Sequence, residues 1–200
     1  MSKTSIWTFK LSTAAIALIP AAIGINYLGK LFAGLLKLPL WLDSIGTVLA
    51  SMLAGPIIGA LSGIINNIIY GITVDPISTV YAVTSGAIGL VVGIMAYKGW
   101  LKNVKTAIVI GLVVGIVAAI ISTPLNITFW GGQTGNIWGD AFYAFLVSHN
   151  FPVWLASFGD SFVVDVPDKI ATVIISYFIF RGLPNNFNTI FRGSDKIEEL

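Results

Sequence analysis

Gly55-Pro56-Ile57-Ile58-Gly59-Ala60-Leu61-Ser62-Gly63-Ile64-Ile65-Asn66-Asn67-Ile68-Ile69-Tyr70-Gly71 is the stretch on which the fold turns. Gly55, Gly59 and Gly63 recur at every fourth position, so in a helix they form one shallow face that a neighbouring helix can approach closely. About one turn further on, the same run carries two amides and a phenol among apolar residues. An unpaired amide is costly in hydrocarbon, so Asn66 and Asn67 must face other helices, water or a ligand. Two roles stay open for them, ligand recognition and helix bridging.

The whole composition points the same way. Of 200 residues, 56% are hydrophobic and 10% charged, against roughly 25% charged in soluble domains. This is the composition of an integral membrane protein, and the length suits about six spans of roughly 20 residues in one domain, residues 1–200. A net charge of +2 is too small to imply nucleic acid. Without cysteine there is no disulfide scaffold, thiol catalysis or thiolate metal site.

Working outward from the opening stretch gives spans at about 11–28, 41–54, 57–72, 77–97, 106–121 and 164–180. The first resembles a signal peptide in its opening lysines, Lys3 and Lys10, but is long for one and has no convincing cleavage site. Its Ala14, Ala17 and Ala21 put small side chains near one face, a surface for another helix. Residues 29–39 form a broken apolar connector with Lys30 and Lys37. Gly55-Pro56 is a turn, and Thr73-Val74-Asp75-Pro76 is a second turn that caps the fourth span. Residues 129–158 differ from everything before them, with Trp130, Gln133, Asn136, Trp138, Asp140, Tyr143, His149 and Trp154. This segment is expected to be an ordered, aromatic-rich outer loop with a short amphipathic helix near residues 140–147.

Basic residues set the orientation. With six crossings, one side collects Lys3, Lys10, Lys98, Lys102, Lys105, Arg181, Arg192 and Lys196, while the other holds Lys30, Lys37, Asp43, Asp75, Asp140 and Asp160. The expectation is a multi-pass protein of the cell membrane with both termini in the cytoplasm.

Helical rise puts Asn66 roughly 15 Å above the cytoplasmic turn, near the midplane, with Tyr70, Tyr81 and Asn126 further out. With Trp130 and Trp138 above them, these residues would make an outward-facing cup with aromatic walls, suited to a flat or amphipathic small molecule. The alternative is an interfacial aromatic belt with helix-bridging amides. A second constellation is Asp165 and Lys169. A lysine inside the apolar slab needs a partner, and a carboxylate four residues earlier has the favourable order. This pair reads as a structural salt bridge, with a proton or cation relay as the other possibility. Catalytic signals are absent: a single histidine, His149, cannot make a two-histidine metal site, and there is no phosphate-binding loop ending in Lys-Ser/Thr and no Gly-x-Ser-x-Gly elbow. The expectation is a non-enzyme with no resident cofactor or metal.

Six short spans, the Ala17-x-x-x-Ala21 motif, the segment from Leu42-Asp43-Ser44-Ile45-Gly46-Thr47 to Ala54-Gly55-Pro56-Ile57-Ile58-Gly59, and the closing Val164-Asp165-Val166-Pro167-Asp168-Lys169 stretch resemble the substrate-binding S-components of energy-coupling factor (ECF) vitamin transporters. The resemblance covers roughly residues 10–185. It implies a bundle that binds a vitamin near the outer face, meets an ECF scaffold membrane subunit through Ala14, Ala17 and Ala21, and works with two ATPase subunits. It also implies a gate at the connector after the first span. The long aromatic segment points to a large ligand, cobalamin first, with riboflavin, pyridoxine or another vitamin as alternatives. An ion-coupled carrier or a membrane sensor module fits the same composition.

Overall fold

The structure is a computed structural model and describes residues 13–184. Lys3, Lys10, the first two residues of the expected opening span, Arg192, Lys196 and the tail beyond Pro184 lie outside the described residues. Within them the chain is all-helical. Seven α-helices follow one another: α1 (Thr13–Leu35), α2 (Ile45–Ala54), α3 (Pro56–Thr73), α4 (Ala82–Tyr97), α5 (Val104–Trp130), α6 (Ile137–Ser148) and α7 (Val153–Gly182), with a 3-10 turn at Pro76–Thr79 before α4.

Helix α3 is the opening stretch. Pro56 occupies its first turn, where a missing N–H costs nothing, and Gly55 at φ 90° makes the reversal from α2. The small-residue face works as its spacing requires. A Cβ at Gly59 would collide with Ser51 of α2, and one at Gly89 of α4 would collide with the backbone of Gly59 and Ala60. The same device joins α5 to α7, where Cβ atoms at Gly111 and Gly115 would lie 2.6 Å from Ile170 Cα and 2.7 Å from Val166 Cα. Between these pairs Val48, Ile88, Ile110, Val114 and Val173 form the central apolar cluster.

Several boundaries move from their expected places, and prolines are the common reason. Helix α1 runs through Pro20 to Leu35, absorbing much of the expected connector. Helix α5 runs through Pro124 to Trp130, and α7 begins at Val153 and carries Pro167 in its interior rather than its first turn. A proline removes one hydrogen bond, but leaving the helix in an apolar setting would orphan many backbone groups. The aromatic segment is accordingly mostly helical. Its core is α6, longer than the expected 140–147 helix, and the non-helical parts are residues 131–136 and 149–152.

Beside the apolar cluster, the chain buries many polar groups and exposes large apolar ones, unlike a typical soluble protein. Large apolar side chains stand exposed on α1 (Leu28, Leu35), α3 (Ile72), α4 (Val83), α5 (Ile120) and α7 (Phe178), while Asn26, Thr47, Asn66, Asn126, Asp160, Asp168 and Lys169 are buried. Three helices, α1, α3 and α5, are long and apolar enough to cross a membrane. These features suggest membrane association.

Candidate ligand cavity and buried ion cluster

The site lies at the end of the bundle where the α1–α2 and α3–α4 connections meet. Helix α1 brings Lys30; the connector after it brings Trp41 and Asp43; the 3-10 turn brings Asp75, Ile77 and Ser78. Tyr81, Thr84, Ser85 and Ile88 follow at helical spacing at the start of α4, and Ala118, Ser122 and Asn126 make an i, i+4, i+8 stripe on α5. Thr134 and Gly135 cover one side, and Asp165 and Lys169 close the cavity from α7. The cavity has a volume of about 260 Å³. A vestibule of about 230 Å³ adjoins it, sharing Lys30, Trp41, Asp75 and Gly135 and adding Tyr70, Lys37 and Asn136.

Lys169 is the electrostatic centre of the closing wall. Its Nζ lies 3.0 Å from Asp43 Oδ1 and 2.5 Å from Asp168 Oδ2. The expected Asp165–Lys169 pair is therefore replaced by a triad of Asp43, Asp168 and Lys169. Asp43 arrives from a connector 126 residues away in sequence, a partner that no helical spacing could indicate. The other oxygen of Asp168 accepts from Trp41 N at 3.1 Å and Leu42 N at 2.9 Å. This clamp holds Leu42 at φ 51°, in the left-handed region that a bulky residue seldom adopts. Such strain persists only where neighbouring contacts over-determine it. Asp165, about one turn before Lys169 on α7, is 7% exposed, lines the cavity and makes no hydrogen bond or ion pair with any described residue.

The other charged groups on the wall are engaged. Lys30 donates to Ser78 Oγ at 2.7 Å and stands over the Tyr70 ring, 4.5 Å from its centroid. Asp75 accepts from Ile77 N and Ser78 Oγ, which makes the expected cap, on the 3-10 turn rather than on α4 itself. Tyr81 donates to Asn126 Oδ1, and Asn126 Nδ2 donates to Ser161 Oγ at 2.9 Å.

Of the residues expected in the cup, Tyr81 and Asn126 line the cavity and Tyr70 lines the vestibule. Trp130 stacks on Tyr81, with ring centroids 5.6 Å apart and planes at 19°, and so supports the wall from behind. Trp138 is 57% exposed and donates from Nε1 to Lys37 O at 3.3 Å, tying α6 to the connector. Asn66 is fully buried away from the cavity, and neither its Oδ1 nor its Nδ2 has a partner among the described residues. Asn67 bridges helices, donating to Ser85 Oγ and Gly63 O. Ala14 is partly buried, and Ala17 and Ala21 are exposed on α1 with none of the described helices over them. His149 lies at the end of α6 with Nδ1 2.8 Å from Phe145 O. Among the described residues no cluster of three or more acidic, cysteine or histidine side chains is arranged to hold a metal ion.

Sequence reasoning missed Lys30, Trp41, Thr84, Ser85 and Ser122. The signal was present for three of them: small hydroxyl residues one turn from Tyr81 and Asn126, in helices otherwise apolar. Lys30, near the end of α1, and Trp41, on the connector after it, carried no such signal, because only the tertiary fold turns them inward.

The chain matches no family model, no characterised protein and no solved structure.

Proposed function

We propose that this protein is a multi-pass membrane subunit that binds a small vitamin-type molecule at the outer side and delivers it across the membrane in an ATP-driven ECF-type transporter. The observation that carries the reading is the cavity. It combines aromatic and aliphatic walls with convergent polar groups, the common composition of small-molecule sites. It lies at the end opposite Lys98, Lys102, Lys105 and Arg181, which supports an outer position under the basic-residue bias. No described group offers nucleotide chemistry, so energy for uptake would come from partners. The uncovered Ala17 and Ala21 on α1 support docking to a scaffold membrane subunit associated with two ATPases.

At about 260 Å³ the cavity is just below the usual range of about 300–1,000 Å³ for small-molecule sites. That volume favours a ligand of one or two rings over cobalamin, whose corrin would require the cavity to open widely. The test is purification of the full chain from its native membrane. Co-purification with two nucleotide-binding subunits and one further membrane protein is the expected result, and Ala17→Trp should abolish both that association and uptake while leaving the isolated chain folded. Uptake that persists without any ATPase subunit and follows an ion gradient would transfer the protein to the ion-coupled carriers.

A further inference from the structure

We propose that the cavity is built for a small organic cation, anchored by Asp165 through a planar or ammonium N–H edge. The inference rests on the reading of the cavity as a ligand site and names the chemistry of its occupant. Two ammonium groups, Lys30 and Lys169, face three carboxylates, Asp43, Asp75 and Asp165. The wall thus carries one excess negative charge before Asp168 behind it is counted.

The distribution of partners locates that excess. Lys169 is held between Asp43 and Asp168, and Asp75 is occupied by the turn that it caps. Lys30 is engaged by Ser78 and by the face of Tyr70. Asp165 alone among these carboxylates has no donor, although it is 93% buried by its 7% exposure and lines the cavity. A carboxyl that is mostly buried and has no protein partner is costly, and a cationic N–H group at this position would supply both charge and hydrogen bonds. The hydroxyls of Thr84 and Ser122, 3.2 Å from each other, and of Ser85, which accepts from Asn67, stand on neighbouring walls with hydrogen-bonding capacity left for the remaining polar edges. The Tyr81 ring, backed by Trp130, offers an aromatic surface of the kind on which planar cations stack.

A matched set of probes tests the charge preference: benzamidine, benzamide and benzoate have the same ring and nearly the same shape but are cationic, neutral and anionic at neutral pH. Binding to the detergent-purified full chain is read by calorimetry and by ligand-induced change in melting temperature. Benzamidine should bind better than benzamide, and benzoate should not bind. Asp165→Asn should weaken benzamidine roughly 10- to 150-fold, the loss expected for one hydrogen bond to a charged group, while leaving benzamide within a few-fold. Asp165→Glu should retain the preference for the cation, and it serves if the asparagine variant does not fold. A preference for benzoate, or equal benzamidine binding by wild type and the Asp165 variants, overturns the cation assignment but leaves a small-molecule site standing. If none of the probes binds to folded wild-type chain at millimolar concentration, both the assignment and the ligand-site reading fall.

Discussion

Asp168→Ala probes the energetic centre of the site. The carboxylate joins three things: the Lys169 ammonium, the N–H groups of Trp41 and Leu42, and α7 itself. Removing one member of a buried ion pair costs about 3–5 kcal/mol, because the other charge stays buried. Lys169 keeps Asp43 at 3.0 Å, which moves the expected loss toward the lower part of that range. The orphaned connector N–H groups move it up again, at about 1–3 kcal/mol for an unsatisfied buried donor. For a chain of this length about 2–4 °C of melting temperature corresponds to each kcal/mol, so 3–5 kcal/mol is a fall of roughly 6–20 °C. Thermal unfolding of the detergent-solubilised chain, followed by tryptophan fluorescence and far-UV circular dichroism, gives the number. Asp165→Ala is the matched control, since Asp165 is also buried, at 7% exposure, but unpaired; its melting temperature should stay within about 4 °C of wild type or rise. If Asp165→Ala falls as far as predicted for Asp168→Ala while Asp168→Ala melts like wild type, the ion cluster is wrongly assigned and Lys169 belongs with Asp165.

Asn66→Leu should stabilise the fold by about 1–3 kcal/mol, because it removes two buried polar atoms that have no partner and substitutes a side chain of similar size; a lower melting temperature would show that the amide has a partner after all. Gly115→Leu should reduce folded yield sharply, since even a Cβ there would press on Val166 Cα, whereas Gly24→Ala, with nothing within 4 Å, should be nearly silent; equal yields in size-exclusion profiles would refute the close α5–α7 approach. Trp138→Phe keeps the ring but loses the bond to Lys37 O, a change of about 0.5–1.5 kcal/mol. Hydrogen exchange should then rise in residues 37–42 and stay unchanged in α5; uniform protection would mean that Trp138 does not hold the connector.

The all-helical class, the close-packing helix faces and the membrane-type composition were legible in the sequence, because each depends on local periodicity or on totals. Glycines four apart in residues 55–63 specify a shallow face whatever covers it, and the structure supplies Ser51 and Gly89 as the cover. The turn at Gly55-Pro56 and the cap by Asp75 were legible for the same local reason. Helix ends were less so, because Pro20, Pro124 and Pro167 are stop signals in water but remain within helices where the backbone has no solvent to bond instead. The cavity was only half legible. Tyr81 and Asn126 stood out as polar groups in apolar runs, but so did Asn66, and nothing local separates a residue that faces a cavity from one buried between helices. The partner of Lys169 lay wholly beyond local reasoning. Spacing offers Asp165 as a neighbour on α7, but the electrostatic choice is made among all carboxylates that the fold brings near. The connector carrying Asp43 back across the bundle settles it, and that same rearrangement leaves Asp165 free to face the cavity.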